Sequence, residues 1–451
     1  MRMGIGLHSV GKANAVSTDR VAPKCLAFLK EALGNFHPRD FRIRLWDESV
    51  WDAEPGEPAR FTFVLKTPDG FRAMFRSPSE ITLGEAYLRQ DLDVEGDLGD
   101  AFDLVDRLIR MPASLGERLR CARLLLFLPS SYRARHVRPA ERLRGSLHSR
   151  ERDRQAVTYH YDLSNDFYAL WLDDRMVYSC AYFTDPAGDL QAAQERKLQY
   201  ICRKLRLHPG DRLLDIGCGW GAIVLHAAEQ HGAEAHGITL SRPQAERANE
   251  RIRGAGMAGR CRVDLRDYRE IDDWEGYDKL VSVGMFEHVG EVRMREYFGR
   301  AFRLLRPGGV FLNHGIACHS GISSNPGPSF SDHYVFPDGE LVPIATALRA
   351  AEACGFEVRD VESLREHYVL TLRHWLRRLE ERRREACRFV DERTFRLWKL
   401  YLAGAAHTFR TGRNNVFQVL LVKPLHGESG LPLTRADWYA QGNTAWTSPI
   451  R

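Results

Sequence analysis

Residues 213–221 read LLDIGCGWG, a short apolar run from Leu213 to Ile216 that ends in glycines at alternate positions, Gly217, Gly219 and Gly221. The helix-like segment AIVLHAAEQ follows from Ala222. The chemistry open to such a turn is ligand binding through the backbone. Glycine accepts positive φ and carries no Cβ, so a ligand can approach the main chain closely. In doubly wound sheets this first strand–helix turn lies at the ligand crevice. The spacing is G-x-G-x-G, which is neither the dinucleotide G-x-G-x-x-G nor the phosphate loop with its Gly-Lys-Ser/Thr. The competing reading is a tight turn without a ligand, in which Asp215 only satisfies nearby backbone donors.

A turn of this kind needs a buried strand before it and a helix after it, and the chain from about 155 to 424 alternates in that way. Strands are predicted at RLLDI, EAHGITL, CRVDL, DKLVSVG and GVFLNHG, and helices around Ile223 to Gln230, Pro243 to Arg253 and Met294 to Leu305. That alternation implies a parallel sheet with helical crossovers. Arg306-Pro307-Gly308-Gly309 reads as the turn before GVFLNHG, and the chain beyond Ala345 reads as largely helical, broken near Gly355. A small α+β domain is predicted over 21–130, with a helix at CLAFLKEAL, strands at FRIRLWD and ARFTFVLKT, and a helix at AFDLVDRLIRM. Residues 1–20 read as a flexible arm, 131–154 as a basic connector and 425–451 as a polar tail.

Further strings surround the glycine turn. HYDLSNDFYALWLDDRMVYSCAYF runs from His160, GITLSRPQ from Gly237, MFEHVG from Met285, YVFPDGELVP from Tyr334, HYVLTLRHW from His367 and FRLWKLYLAGAAHTFRTG from Phe395. In this order they resemble the cyclopropane-fatty-acyl-phospholipid synthase family, relatives of the mycolic acid cyclopropane synthases. The resemblance implies a class I S-adenosylmethionine (SAM) methyltransferase core, Rossmann-like, with a helical lipid-side subdomain. It assigns the SAM site to Tyr178, Ser179, Asp215, Gly217, Gly219, Thr239, Leu240, Gln244 and Tyr268. No acidic residue ends the second strand, where many SAM enzymes bind the ribose hydroxyls; ITLS stands there instead.

The implied reaction adds a methylene unit to a cis double bond of a phospholipid acyl chain. The alkene attacks the sulfonium methyl, a carbocation forms along the chain, and a proton leaves the new methyl as the ring closes. A weak, well-positioned base in a dry site suffices. The family holds bicarbonate for this step, and the matching positions are Cys180, Glu287, His314, Ile316 through its backbone, and Tyr368. Tyr178, Phe183, Phe286 and Tyr334 are candidates, by motif position, for facing the cation. Two alternatives stand beside this reading. One is a methyl- or methylene-branching enzyme of the same family, and the other is a SAM-binding protein without turnover that docks on membranes.

Composition limits the setting. Hydrophobic content of 44% and charged content of 28% describe a globular chain. The nine cysteines are scattered without C-x-x-C or a metal-type pairing with histidine, so neither a disulfide framework nor a metal site is predicted and a reducing cytoplasm fits. No apolar run approaches the ~20 residues of a membrane span. Between Arg118 and Arg154, eleven arginines face three acidic residues, an excess of eight against +5 for the whole chain. LLLFL, Leu124 to Leu128, lies within that stretch. Arginine beside an apolar cluster suits an anionic lipid surface, and a solvated linker is the competing reading. Nucleic acid is not predicted, because the aromatic interleaving of single-strand binding is missing. Together with the resemblance, which implies unsaturated phospholipids as substrates and a homodimer as the assembly, this predicts a peripheral setting at the inner membrane face.

Overall fold

The computed structural model describes residues 21–68, 70–110, 114–128, 143–161, 163–272, 275–320 and 329–439. The chain divides into two compact units, residues 1–137 and 138–451. The predicted arm, residues 131–142 of the connector and 440–451 of the tail lie outside the described residues.

The first unit carries four strands, β1 (Phe41–Arg44), β2 (Val50–Trp51), β3 (Phe61–Leu65) and β4 (Leu92–Gly96), in the order β2-β1-β3-β4. Strand alternation sends Phe41 and Ile43 inward and Arg42 outward. Phe41 stacks on Phe61 at 5.5 Å between ring centroids, and Phe28 of the helix Ala22–Leu33 meets Phe71 edge-on. The helices predicted at CLAFLKEAL and AFDLVDRLIRM fall in Ala22–Leu33 and Leu98–Arg110.

The second unit is built on seven strands, β5 (Arg212–Ile216), β6 (Glu234–Thr239), β7 (Cys261–Leu265), β8 (Tyr277–Val283), β9 (Leu305–Cys318), β10 (Glu357–Ser363) and β11 (Asn414–Val422). Their order is β10-β11-β9-β8-β5-β6-β7. β9, β8, β5, β6 and β7 are mutually parallel, and β11 runs antiparallel to both β9 and β10. The central strands read as continuous apolar runs because helices bury both faces. Leu213, Val281, Leu312 and Leu420 pack on one side with Leu198, Val224 and Ala248. Leu214, Leu280, Phe311 and Leu421 pack on the other with Phe298, Ala301 and Ala347.

Three sequence expectations are corrected here. The section beyond Ala345 is not only helical, because β10 and β11 form one side of the sheet. Their partners are remote in sequence, so no local turn signal announces them. Arg306–Gly309 is not a turn before a strand but part of β9. The chain enters and leaves this segment extended, and a register shift against β8 with Gly308 at φ +78 absorbs the extra residues. The segment after 424 is not simply a polar tail. Trp438, in the short helix Ala436–Tyr439, is buried beneath Lys204 and Arg206.

Candidate functional site

A cavity opens at the carboxyl ends of β5, β6, β7 and β8, where open α/β sheets hold ligands. Its walls include all nine positions assigned to the SAM site: Tyr178, Ser179, Asp215, Gly217, Gly219, Thr239, Leu240, Gln244 and Tyr268. Gly217 and Gly219 both have positive φ, +81 and +54. A Cβ on Gly217 would lie 2.9 Å from Met285, whereas a Cβ on Gly219 would meet nothing within 4 Å. Gly217 thus packs the turn against its own wall, and Gly219 borders open space.

The turn after β6 is built by its own polar residues. Ser241 caps the helix Arg242–Gly254, and Thr239 Oγ1 donates to Gln244 Oε1 at 2.7 Å. After β7, Asp267 caps a 3-10 turn that begins with Tyr268, whose ring meets Tyr297 edge-on. Asp267, Arg269 and Lys197 also line the cavity and were not singled out from sequence. Asp267 is the only one of these with an acid's usual role open to it at a strand end, yet both its oxygens already accept from Arg269.

Two buried ionisable groups of opposite type, Asp215 and Lys197, line the cavity within electrostatic reach of each other. Burial pushes Asp215 up to about 7, against the pull of Lys197. Burial also pulls Lys197 down to about 8. Lys197 Nζ donates to Ser179 Oγ at 2.8 Å, while Asp215 Oδ1 has no partner.

The second set, Cys180, Glu287, His314, Ile316 and Tyr368, does not line this cavity, although its chain neighbours Ser179, Met285 and His288 do. The four side chains named for chemistry are all buried. Glu287 Oε1 accepts the Ile316 N–H at 2.7 Å. That contact depends on Gly315, since a Cβ there would lie 2.0 Å from the Phe286 ring. With no side chain at 315, Phe286 lies flat against β9 and its neighbour Glu287 reaches the strand. The backbone of Ile316, assigned to the ion site by the resemblance, thus has its N–H committed to Glu287.

His314 stands two residues before Ile316 on the same face of β9, and its Nδ1 lies 3.2 Å from Gln418 Nε2. Burial pushes Tyr368 well above its usual range, and the charges of Tyr401, Cys180 and Glu287 add to this, which places Tyr368 within electrostatic reach of Cys180 and Glu287. Burial raises the Cys180 thiol strongly. It raises Glu287 to about 7 and holds His314 well below its usual value. Glu287 Oε2 and His314 Nε2 are buried without partners. An orphaned buried polar atom costs about 1–3 kcal/mol. Glu287 Oε2 is left as a buried acceptor and Nε2 of the neutral His314 ring as a buried polar atom.

Around these groups the walls are aromatic. Tyr178 packs against Trp171, Trp375 and Trp398, and Tyr161 and His288 face the cavity. Of the aromatic candidates, only Tyr178 lines it. Phe183 stacks on His374, Phe286 packs on Gly315, and Tyr334 packs on Phe330. Trp375, Trp398 and Tyr401 sit in the strings HYVLTLRHW and FRLWKLYL, where a concentration of aromatics was the available signal.

The sequence shows no paired cysteine and histidine, but the fold makes one. Cys202, His226 and His231 place one ligand atom each within 4.8 Å of one another, because the helices Leu190–Leu205 and Ala222–His231 lie side by side.

The comparisons agree with this architecture. The family described as mycolic acid cyclopropane synthetase matches residues 148–419, and a domain of unknown function matches 28–111. A protein of Pseudomonas putida named a probable fatty acid methyltransferase is 40% identical, covering 92% of this chain and 100% of its own. The cyclopropane-fatty-acyl-phospholipid synthase of Escherichia coli (strain K12) is 35% identical over 82% of this chain and 90% of its own. The crystal structure of a mycolic acid cyclopropane synthase complexed with SAH and CTAB superposes with a TM-score of 0.57 at 36% identity, covering 59% of this chain and 97% of that one. The second unit has the class I SAM-dependent methyltransferase fold, and the chain belongs to the mycolic acid cyclopropane synthetase family.

Proposed function

We propose that this SAM-dependent lipid methyl- or methylene-transferase closes a cyclopropane ring on a cis double bond of a phospholipid acyl chain. The observation that carries this reading is that Glu287 Oε2 and His314 Nε2 are both buried without partners, with Glu287 held by the Ile316 N–H on the strand that also carries His314. When bound, SAM supplies an electrophilic methyl group and bicarbonate supplies a weak base. Asp215, Ser179 and Tyr178 would hold the amino-acid end of SAM, the Gly219 edge would admit its backbone approach, and Thr239, Leu240, Gln244 and Tyr268 would hold the nucleoside. Glu287 would accept the hydroxyl proton of the anion, and His314 would donate to it through Nε2. Ile316 holds Glu287 in place rather than meeting the ion. The faces of Tyr178 and its tryptophan neighbours stabilise positive charge on the acyl chain, and burial keeps out the water that would quench it.

A second reading, methyl branching without ring closure, is favoured by the name of the Pseudomonas putida relative. Both begin with the same cation and differ in where its proton goes. Mass spectrometry of lipids from cells expressing the protein tests the pair: addition of one CH2 is expected for ring closure, and chromatography against standards separates ring from branch. Unchanged lipids under good expression overturn both.

Work at a lipid surface belongs to the same proposal, as does a cytoplasmic setting. In the first unit, Leu119, Leu126 and Phe127 are 63%, 69% and 62% exposed along and just beyond the helix Leu115–Leu126. Arg118, Arg120 and Arg123 are exposed beside them. Among the described residues no helix is long and apolar enough to cross a membrane.

A further inference from the structure

We infer that Cys202, His226 and His231 form a binding site for one divalent ion of borderline softness, of the Zn2+ type, which clamps the helix Leu190–Leu205 to the helix Ala222–His231. The three ligand atoms lie within 4.8 Å of one another. One thiolate and two imidazoles are the donors that such ions select, and three protein ligands leave a fourth position for water or a carbonyl oxygen. Cys202 and His226 are buried, and His231 is half-buried, so an ion can enter from the His231 side.

The surroundings are those of a ligating histidine. Glu195 Oε1 lies 3.2 Å from Nδ1 of His226. A carboxylate at that distance can accept the ring proton at Nδ1 once an ion takes Nε2. Gln199 Oε1 lies 3.2 Å from Nε2 of both His226 and His231. Without an ion, each ring can donate its Nε2–H to that oxygen. A cation held by the two nitrogens and the sulfur replaces those two hydrogen bonds and leaves the Gln199 oxygen free to complete the shell. Glu195, Gln199 and Cys202 recur on one face of their helix, so a single helix supplies the thiolate, the oxygen and the orienting carboxylate. Binding forms a metal–sulfur bond and releases the thiol proton to solvent; no electron moves. The clamp is separate from the transfer chemistry. Its two helices are those that carry Lys197 and follow the glycine turn, and they reach the cavity at other residues.

The test uses the full chain, stripped with a chelator and titrated anaerobically with Co2+. One equivalent should bind, with visible bands of a tetrahedral ion and a near-ultraviolet thiolate-to-metal charge-transfer band. Zn2+ should displace it and raise the thermal midpoint. Cys202→Ser should abolish the charge-transfer band. His231→Gln, at the half-buried last residue of its helix, should weaken binding while the apo midpoint stays close to wild type. Glu195→Gln should weaken binding about tenfold. Cys387→Ser, which removes an exposed thiol, should change nothing. The inference is overturned if the wild type gives no charge-transfer band, if the band survives Cys202→Ser, or if Zn2+ raises the midpoint of Cys202→Ser as much as that of wild type. A Gln199 amide turned to donate to both rings would then account for the cluster.

Discussion

Gln418 and His314 stand directly opposite each other on β11 and β9, and their side chains meet at 3.2 Å between the amide Nε2 and the ring Nδ1. Burial keeps the ring neutral, so it carries one proton. An amide donating to Nδ1 puts that proton on Nε2, the atom left without a partner. Gln418 is thus a positioning residue for the His314 tautomer. Gln418→Glu keeps the shape but draws the proton to Nδ1. It should lower kcat roughly 10- to 100-fold, the size typical for loss of an orienting partner, with SAM affinity unchanged by calorimetry.

In its proposed role, Glu287 gives the reaction a pH dependence. Burial raises its carboxyl from 4.5 to about 7. The ionised form is the one that accepts a proton, so kcat/KM should rise with pH through about 7, and Glu287→Gln should remove that limb and most of the turnover while leaving SAM binding.

The same shift has a stability consequence of opposite sign. A carboxyl whose folded pKa is raised favours the folded state fully below its unfolded pKa, and this is lost as pH rises through about 7. Glu287 and Asp215 both contribute. The thermal midpoint of Glu287→Gln should therefore decline less than that of wild type between about pH 4.5 and 7.

Gly219→Val and Gly217→Val should differ. The first places a side chain in open space and should abolish SAM binding in calorimetry with a modest loss of stability from its φ of +54. The second drives a Cβ into Met285 and should unfold at markedly lower denaturant.

Gly315→Ala tests the seat of Glu287. The added methyl collides with the Phe286 ring, and overpacking of this kind costs about 1–3 kcal/mol. Denaturant titration should show that loss. Turnover should fall further than stability explains, because Phe286 and Glu287 move together.

Surface attachment is read by vesicle sedimentation. Replacing Arg133, Arg135, Arg138 and Arg142 with glutamine, or Leu126 and Phe127 with serine, should weaken binding to anionic vesicles more than activity on detergent-dispersed lipid. Rising salt should weaken wild-type binding as screening grows.

The glycine turn and the parallel strands were legible because each is signalled within a few residues. RLLDI and CRVDL coincide with β5 and β7, and the assigned SAM positions lie on one cavity wall because strand ends converge. What escaped depends on partners distant in the chain. VFQVLLV has the composition of a buried strand, but its insertion beside β9 is set by the sheet. Gln418 then gains meaning only by standing opposite His314. The Ile316 amide looked free until Glu287 was seen to use it. Cys202 and His226 are apolar-face positions on separate helices, and nothing local pairs them.

β11 comes after β10 in the chain yet lies between β10 and β9. During synthesis, β10 emerges with no neighbour to pair with and must wait for residues 414–422. His314 leaves the ribosome about a hundred residues before its partner, an interval of roughly 5–20 s at bacterial elongation rates. Until then the nascent chain holds a glycine turn and most of a nucleoside pocket but no oriented imidazole. On the proposed roles, a fragment stalled or cleaved before Gln418 takes up the methyl donor but does not complete the reaction.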